Sequence, residues 1–158
     1  MNPWLTAIGS IVVLYVIVNV VQSQRSPKSP MTKTDKEWEE ILTPEQYAVM
    51  REAGTERPFS SPLDTEKRTG TFYDATGTQA LFRSEDKFDS KTGWPSFTKP
   101  IDSDAIIEKT DYKLGYPRTE ILSSKDGHHL GHVFRDGPEP TGLRYCINGD
   151  ALMFKADE

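Results

Sequence analysis

His128–Phe154 reads HHLGHVFRDGPEPTGLRYCINGDALMF, and it holds all three histidines and the only cysteine of the chain. His129–Phe134 is apolar apart from its histidines. Arg135–Gly142 carries Gly137, Pro138, Pro140 and Gly142, and Leu143–Ile147 is a second extended run. The pattern predicts two antiparallel strands around a turn-rich loop. Pairing about the loop midpoint sets His132 opposite Tyr145, one residue from Cys146. Alternate residues of a strand share a face, so Arg144, Cys146 and Asn148 point one way while Tyr145 and Ile147 point the other. A thiol flanked by a guanidinium and an amide, with imidazoles across the ladder, suits thiolate chemistry. Cationic neighbours lower a thiol pKa, and the thiolate is the nucleophile.

A lone cysteine is commonly a small buried hydrophobe, and the polar face around Cys146 is what sets this one apart. The wording of the segments goes further. GWPSF (93–97), HLGHVF (129–134) and RYCIN (144–148) resemble the signature segments of the methionine-R-sulfoxide reductase B family. WEEILTPEQYAVMREAGTERPF (38–59) and LFRSEDKFDS (81–90) resemble the same family in the same order. The resemblance runs from about Thr32 to Ala156. It implies two antiparallel sheets facing each other, with the active site on one of them.

The start of the chain differs in composition. Trp4–Val21 carries no charge, and Ile11–Val18 is almost wholly aliphatic. That length is near the lower limit for crossing a bilayer as a helix. A cleaved signal peptide fits less well, because MNP has no basic side chain and no small-x-small site precedes Ser23. Residues 1–22 therefore read as a single hydrophobic anchor helix and 23–31, rich in Ser and Pro, as a flexible tether. Arg25, Lys28, Lys33 and Lys36 follow the anchor, so the positive-inside rule puts the domain on the cytoplasmic side.

Residues 32–158 are long enough for one core. The net charge of −5 and the lack of basic clusters exclude nucleic acid as an expected partner. Asp35–Leu42 and Pro44–Arg51 read as short helices, with Thr43 as N-cap, Pro44 at the first helical position and Gln46 completing a capping box. Beyond Gly54, short apolar runs alternate with Gly and Pro. Strands are expected at 71–73, 80–83, 106–109, 118–122, 129–134, 143–147 and 151–154, with Asn148-Gly149 turning a last hairpin. The class is mostly β with short N-terminal helices.

The resemblance implies Cys146 as nucleophile, His129 and His132 as the acid pair with their roles undivided, and Trp94 as the wall against a substrate methyl. It also brings Arg144 and Asn148 to the site, Arg144 to hold the thiolate and Asn148 to bind substrate or serve the turn. His128 matches no motif position and reads as solvated. Arg118 and Glu120 match family positions but read as an ion pair on an exposed strand. Many family members hold a structural zinc on two Cys-x-x-Cys pairs. Those positions here are Asp74, Gly77, Ser123 and Asp126, so no metal or other cofactor is expected. Members with a resolving cysteine often place it where this chain has Thr92. With one thiol, no intramolecular disulfide forms, and regeneration falls to a thioredoxin-like protein or a small thiol.

The implied activity is reduction of the R epimer of methionine sulfoxide, free or in oxidised proteins, by a monomer. A Cys-His hydrolase is the first alternative, disfavoured by a thiol in mid-strand. A membrane-tethered binding module without chemistry is the second.

Overall fold

The computed structural model describes residues 33–158, and the anchor and tether expected over 1–22 and 23–31 lie outside the described residues. Among the described residues no helix is long and apolar enough to cross a membrane. Two helices come first, α1 (Asp35–Ile41) and α2 (Pro44–Met50). Each has a full capping box: Thr34 with Glu37, and the expected Thr43 with Gln46. These boxes satisfy backbone donors that a two-turn helix leaves open. Trp38, Leu42, Val49 and Met50 pin the pair to the core.

Nine strands follow among the described residues: β1 (Gly70–Asp74), β2 (Ala80–Arg83), β3 (Lys87–Phe88), β4 (Ser96–Phe97), β5 (Ile106–Asp111), β6 (Arg118–Ser123), β7 (His129–Phe134), β8 (Arg144–Ile147) and β9 (Leu152–Ala156). They make a three-stranded sheet ordered β2-β1-β9 and a six-stranded sheet ordered β3-β4-β8-β7-β6-β5, with every pairing antiparallel. The sheets meet through aromatics. Phe82 stacks on Phe97 at 4.4 Å, and Phe72 meets Phe97 edge-on at 5.0 Å. Burying each such ring contributes roughly 1.5–3 kcal/mol, before any bonus from pairing geometry.

Four features depart from expectation. β3 and β4 are two residues long, too short to leave a periodic signal, yet β4 makes GWPSF the neighbour of β8. The hairpin register differs by one residue, so His132 pairs with Cys146 rather than Tyr145. Asn148-Gly149 turns no hairpin. Asn148 is extended (φ −69°, ψ 131°), a short 3-10 turn spans Gly149–Ala151, and β9 crosses to pair with β1. The buried carboxylate of Glu56 takes the Gly149 and Asp150 N–H groups at 2.8 Å each, which fixes the crossover. Lastly, His128 is fully buried (0 % exposed), edge-on to Trp38 with ring centroids 4.4 Å apart, and not solvated.

Candidate active site

Residues in direct cross-strand register share a face of the sheet. One row therefore runs Ser96, Cys146, His132, Glu120 across β4, β8, β7 and β6. The sheet puts thiol and imidazole side by side. His129 would point to the opposite face from His132 in a regular strand, since three residues separate them. A bulge prevents this: Ile121 pairs with Gly131 and Leu122 with His129, leaving Leu130 as the extra residue. An inserted residue inverts the alternation, and the two imidazole centroids lie 5.4 Å apart. Gly131 sits in this bulge because a Cβ there would collide with the Cys146 carbonyl oxygen.

The face opens into a cavity of about 150 Å³ lined by Thr55, Trp94, Arg118, Gly131, His132, Phe134, Cys146 and Asn148. A larger depression of about 770 Å³, lined by residues such as Phe59, Lys87 and Asp89, contains no member of the catalytic row. The small cavity is the chemical one, because thiol, imidazole and aromatic wall converge there. Trp94 is held by its indole N–H, which donates to the Glu56 carbonyl at 3.2 Å. Glu56 N–H donates to Asn148 Oδ1 at 3.0 Å, and Asn148 Nδ2 donates to the Leu130 carbonyl at 3.0 Å. Both ends of the Asn148 amide are thus engaged by backbone, so it shapes the cavity by tying three segments together.

The charged groups pair differently from expectation. Arg118 and Glu120 are not partners. Arg118 pairs with Asp111, whose Oδ2 also takes His132 Nε2 at 2.9 Å. Hydrogen bonds from Lys113 N–H, His132 and Arg118 hold the Asp111 carboxyl well below the usual carboxylate range. Glu120 Oε1 lies 2.6 Å from His129 Nδ1. Burial outweighs that carboxylate and lowers the His129 pKa, so near neutral pH the ring is neutral and Nδ1–H donates to Glu120. The side-chain Nε atom of Arg118 and Nε2 of His129 are buried without a partner.

Cys146 itself departs from the expected low pKa. Burial pushes the thiol up, while the Arg144 guanidinium and the Thr92 hydroxyl pull it back. Arg144 is clamped by Asp136 through two 2.9 Å bonds and lies 4.5 Å over the Phe134 ring. Thr92 heads a chain of hydroxyls, with Ser90 at 2.7 Å and Ser96 donating to Ser90 at 2.8 Å. Alkylation of Cys146 by iodoacetamide is therefore expected to rise with pH with a midpoint above the ~8.5 of a free thiol. Thr92→Val should move that midpoint higher, and Thr92→Ser should not. A midpoint well below 8.5 would mean that Arg144 and Thr92 outweigh burial.

The structure gathers Cys146, His132, Trp94 and Asn148 around the cavity, with Arg144 beside the thiol and His129 behind His132. It adds Phe134, Arg118, Asp111, Asp136 and Glu56, which the sequence reading did not single out as site residues. Phe134 and Asp136 lie within or beside the quoted HLGHVF segment, a signal that was available. Glu56 lies within the quoted 38–59 segment, whereas Asp111 is an isolated carboxylate at a strand end and carries no such signal.

A cysteine on a sheet, an imidazole opposite it and an aromatic slot define a thiol-dependent redox or transfer enzyme. The comparisons narrow the class. The family model described as the SelR domain matches residues 42–156. The chain is 52% identical to a peptide methionine sulfoxide reductase MsrB of Methanosarcina barkeri over 126 residues, covering 80% of this chain and 89% of that protein. It is 53% identical to an MsrB of Pseudomonas putida over 123 residues, 78% and 92% of the two chains. An MsrB of Agrobacterium fabrum is 49% identical over 130 residues, 82% and 95%. The chain belongs to the peptide methionine sulfoxide reductase MsrB family, a family of oxidoreductases.

The tetrathiolate zinc that the sequence resemblance brings to mind does not fit this chain. Gly77 offers no side-chain donor, and Ser123 Oγ accepts the His128 N–H at 3.0 Å. The two turns are joined instead by Gln79, whose amide reaches Ala105 O and Ser124 Oγ at 2.8 Å while Lys125 N–H donates to its Oε1 at 3.1 Å.

Proposed function

We propose that the protein reduces the R epimer of methionine sulfoxide, free or within oxidised proteins, to methionine through a sulfenic acid on Cys146. The observation that supports this most is the direct Cys146–His132 cross-strand pair at a cavity walled by Trp94 and Phe134. The sulfoxide methyl packs on the two rings, and its oxygen faces His132. Sγ attacks the sulfoxide sulfur as His132 delivers a proton to the oxygen. The bond formed between Sγ and the substrate sulfur breaks again as the hydroxyl passes to Sγ. The substrate's sulfur–oxygen bond is lost, a sulfur–oxygen bond remains on Cys146, and the thioether leaves. The thiol proton, taken up by the imidazole, replaces the one it gave. This return of the proton suits a thiol whose pKa burial has raised, because no standing thiolate population is needed.

Arg144, oriented by Asp136, and the Thr92 hydroxyl stabilise negative charge on sulfur. Reduction of the sulfenic acid requires two thiols from outside or one dithiol, since this chain has a single cysteine. A thioredoxin-like protein or a small thiol supplies them. Attachment to a membrane with the domain on the cytoplasmic side rests on the composition of Trp4–Val21 and the basic residues after it.

Separate R and S epimers, supplied with dithiothreitol, test the substrate assignment: the R epimer should be consumed and the S epimer left. Without reductant, at most one methionine should be released per chain, leaving one extra oxygen on Cys146 that dimedone traps. An unoxidised chain after methionine release would overturn the scheme.

A further inference from the structure

We infer that the β5–β6 turn, residues 112–117, is a docking surface for apolar residues that flank the oxidised methionine of an unfolded polypeptide. The inference rests on the sulfoxide reductase reading of the cavity and names the form of substrate it favours. Three of the seven large apolar side chains exposed among the described residues fall within five positions of this turn. They are Tyr112, Leu114 and Tyr116, at 66, 58 and 55 % exposure. Such a cluster on a folded domain marks a place where something binds, and tyrosine offers wide contact at little entropic cost.

The turn stands at the rim of the catalytic cavity. Its two stems are a cross-strand pair, Asp111 with Arg118. Arg118 lines the cavity, and Asp111 bonds His132, which also lines it. At about 3.8 Å per residue, no position from 112 to 117 is more than roughly 11 Å of chain from one of those stems. The tip is fastened from another side too. Lys113 Nζ donates at 3.0 Å to the carbonyl of Ala53, close in the chain to the cavity-lining Thr55. Lys113 N–H donates to Asp111 Oδ1 at 2.7 Å, and Gly115 N–H to the Tyr112 carbonyl at 2.8 Å. Gly115 takes φ 83°, a conformation that suits glycine. The three apolar side chains are thus displayed from a hydrogen-bonded turn.

The size of the cavity says what they meet. About 150 Å³ is well under the roughly 300–1,000 Å³ of a pocket for a drug-sized ligand, and it suits one side chain. The residues before and after a methionine sulfoxide therefore lie outside it, on the rim. Methionine is a core residue in most folded proteins, and core segments carry other apolar residues. A polypeptide that has unfolded and been oxidised brings those flanks to the rim. A bilayer is a poorer occupant, because surfaces that lie on membranes offer cations to lipid headgroups. Lys113 and Arg118 are already taken by Ala53 and Asp111. A second copy is poorer as well, because three side chains fall well short of the roughly 800 Å² per partner of a standard interface.

The test uses the full chain at a fixed detergent concentration and three R sulfoxides. These are N-acetyl-methionine sulfoxide, a pentapeptide with Leu and Phe around the sulfoxide, and one with Ser in their place. On the apolar peptide kcat/KM should exceed that on the serine peptide by about tenfold. Tyr112→Ser, Leu114→Ser and Tyr116→Ser together should erase the difference through KM. The N-acetyl substrate does not reach the rim, so it should stay within about twofold. An apolar preference that is absent, or that survives the three changes, would overturn the surface, as would an equal loss on the N-acetyl substrate. Binding of the fluorescein-labelled apolar peptide to Cys146→Ser reads the turn without turnover, and the three changes should weaken it about tenfold. Failure of every R substrate to react would sink the reaction, whereas binding unchanged by the three changes would sink the surface. A dimer that dissociates in the triple variant, or brominated-lipid quenching of Leu114→Trp in vesicles, would overturn it in favour of a second copy or the bilayer.

Discussion

Cys146→Ser is expected to abolish sulfoxide reduction while leaving the fold in place. Chemistry sets the size of the effect. A sulfenic acid needs a sulfur nucleophile, and no second thiol exists to replace it. Serine is nearly the same shape, and its hydroxyl can take part in the hydroxyl chain that Thr92 heads. The residue is only partly buried, so the change in stability should be about 1 kcal/mol or less. The readouts are release of methionine from the R epimer and thermal melting. Turnover above the background of buffer with dithiothreitol, in a variant that melts normally, would sink Cys146 as the nucleophile. Because the variant keeps Trp94, Phe134 and His132, it should still bind the R sulfoxide, which separates loss of chemistry from loss of the slot.

The strands that build the site were legible because their own residues carry the pattern. His129–Phe134 appears as read, and Arg144–Ile147 within one residue of its reading. The register between them depended on how the 135–143 loop closes. Loop midpoint gave Tyr145 opposite His132, one position from the observed Cys146. The bulge at Leu130 leaves no mark in composition, although it alone puts His129 and His132 on one face. Long-range carboxylates were the largest gap. Glu56 binds residues more than ninety positions away, and Asp111 reaches His132 across β6. Neither lies in a periodic segment that would flag it. His128 reads as solvated because it matches no motif position, whereas the packing of α1 buries it under Trp38. The Asn148-Gly149 signal is local, and the Glu56 carboxylate overrides it by capturing the N–H groups that a hairpin would have used otherwise.

The two histidines should separate kinetically. His132→Ala is expected to slow single-turnover sulfenic acid formation by about 10²–10⁴-fold, the usual worth of a positioned general acid. Its ring is directly opposite Cys146 and lines the cavity. Asp111 holds Nε2, so Nδ1 is the ring nitrogen without a protein partner among the described residues. Asp111→Asn should show a smaller loss, because an amide oxygen can still hold the ring through the same hydrogen bond. His129 is placed otherwise. It does not line the cavity, and burial keeps its ring neutral against Glu120. His129→Ala should therefore cost less in the chemical step and more in stability, since it leaves a buried void beside Glu120. Single-turnover rates are the right measure, because steady-state turnover includes the external reductant. Equal losses in the two alanine variants would mean that the pair shares the proton. A large loss in His129→Ala with an unaffected His132→Ala would move the acid one turn of the bulge away, and the reading of the cross-strand pair with it.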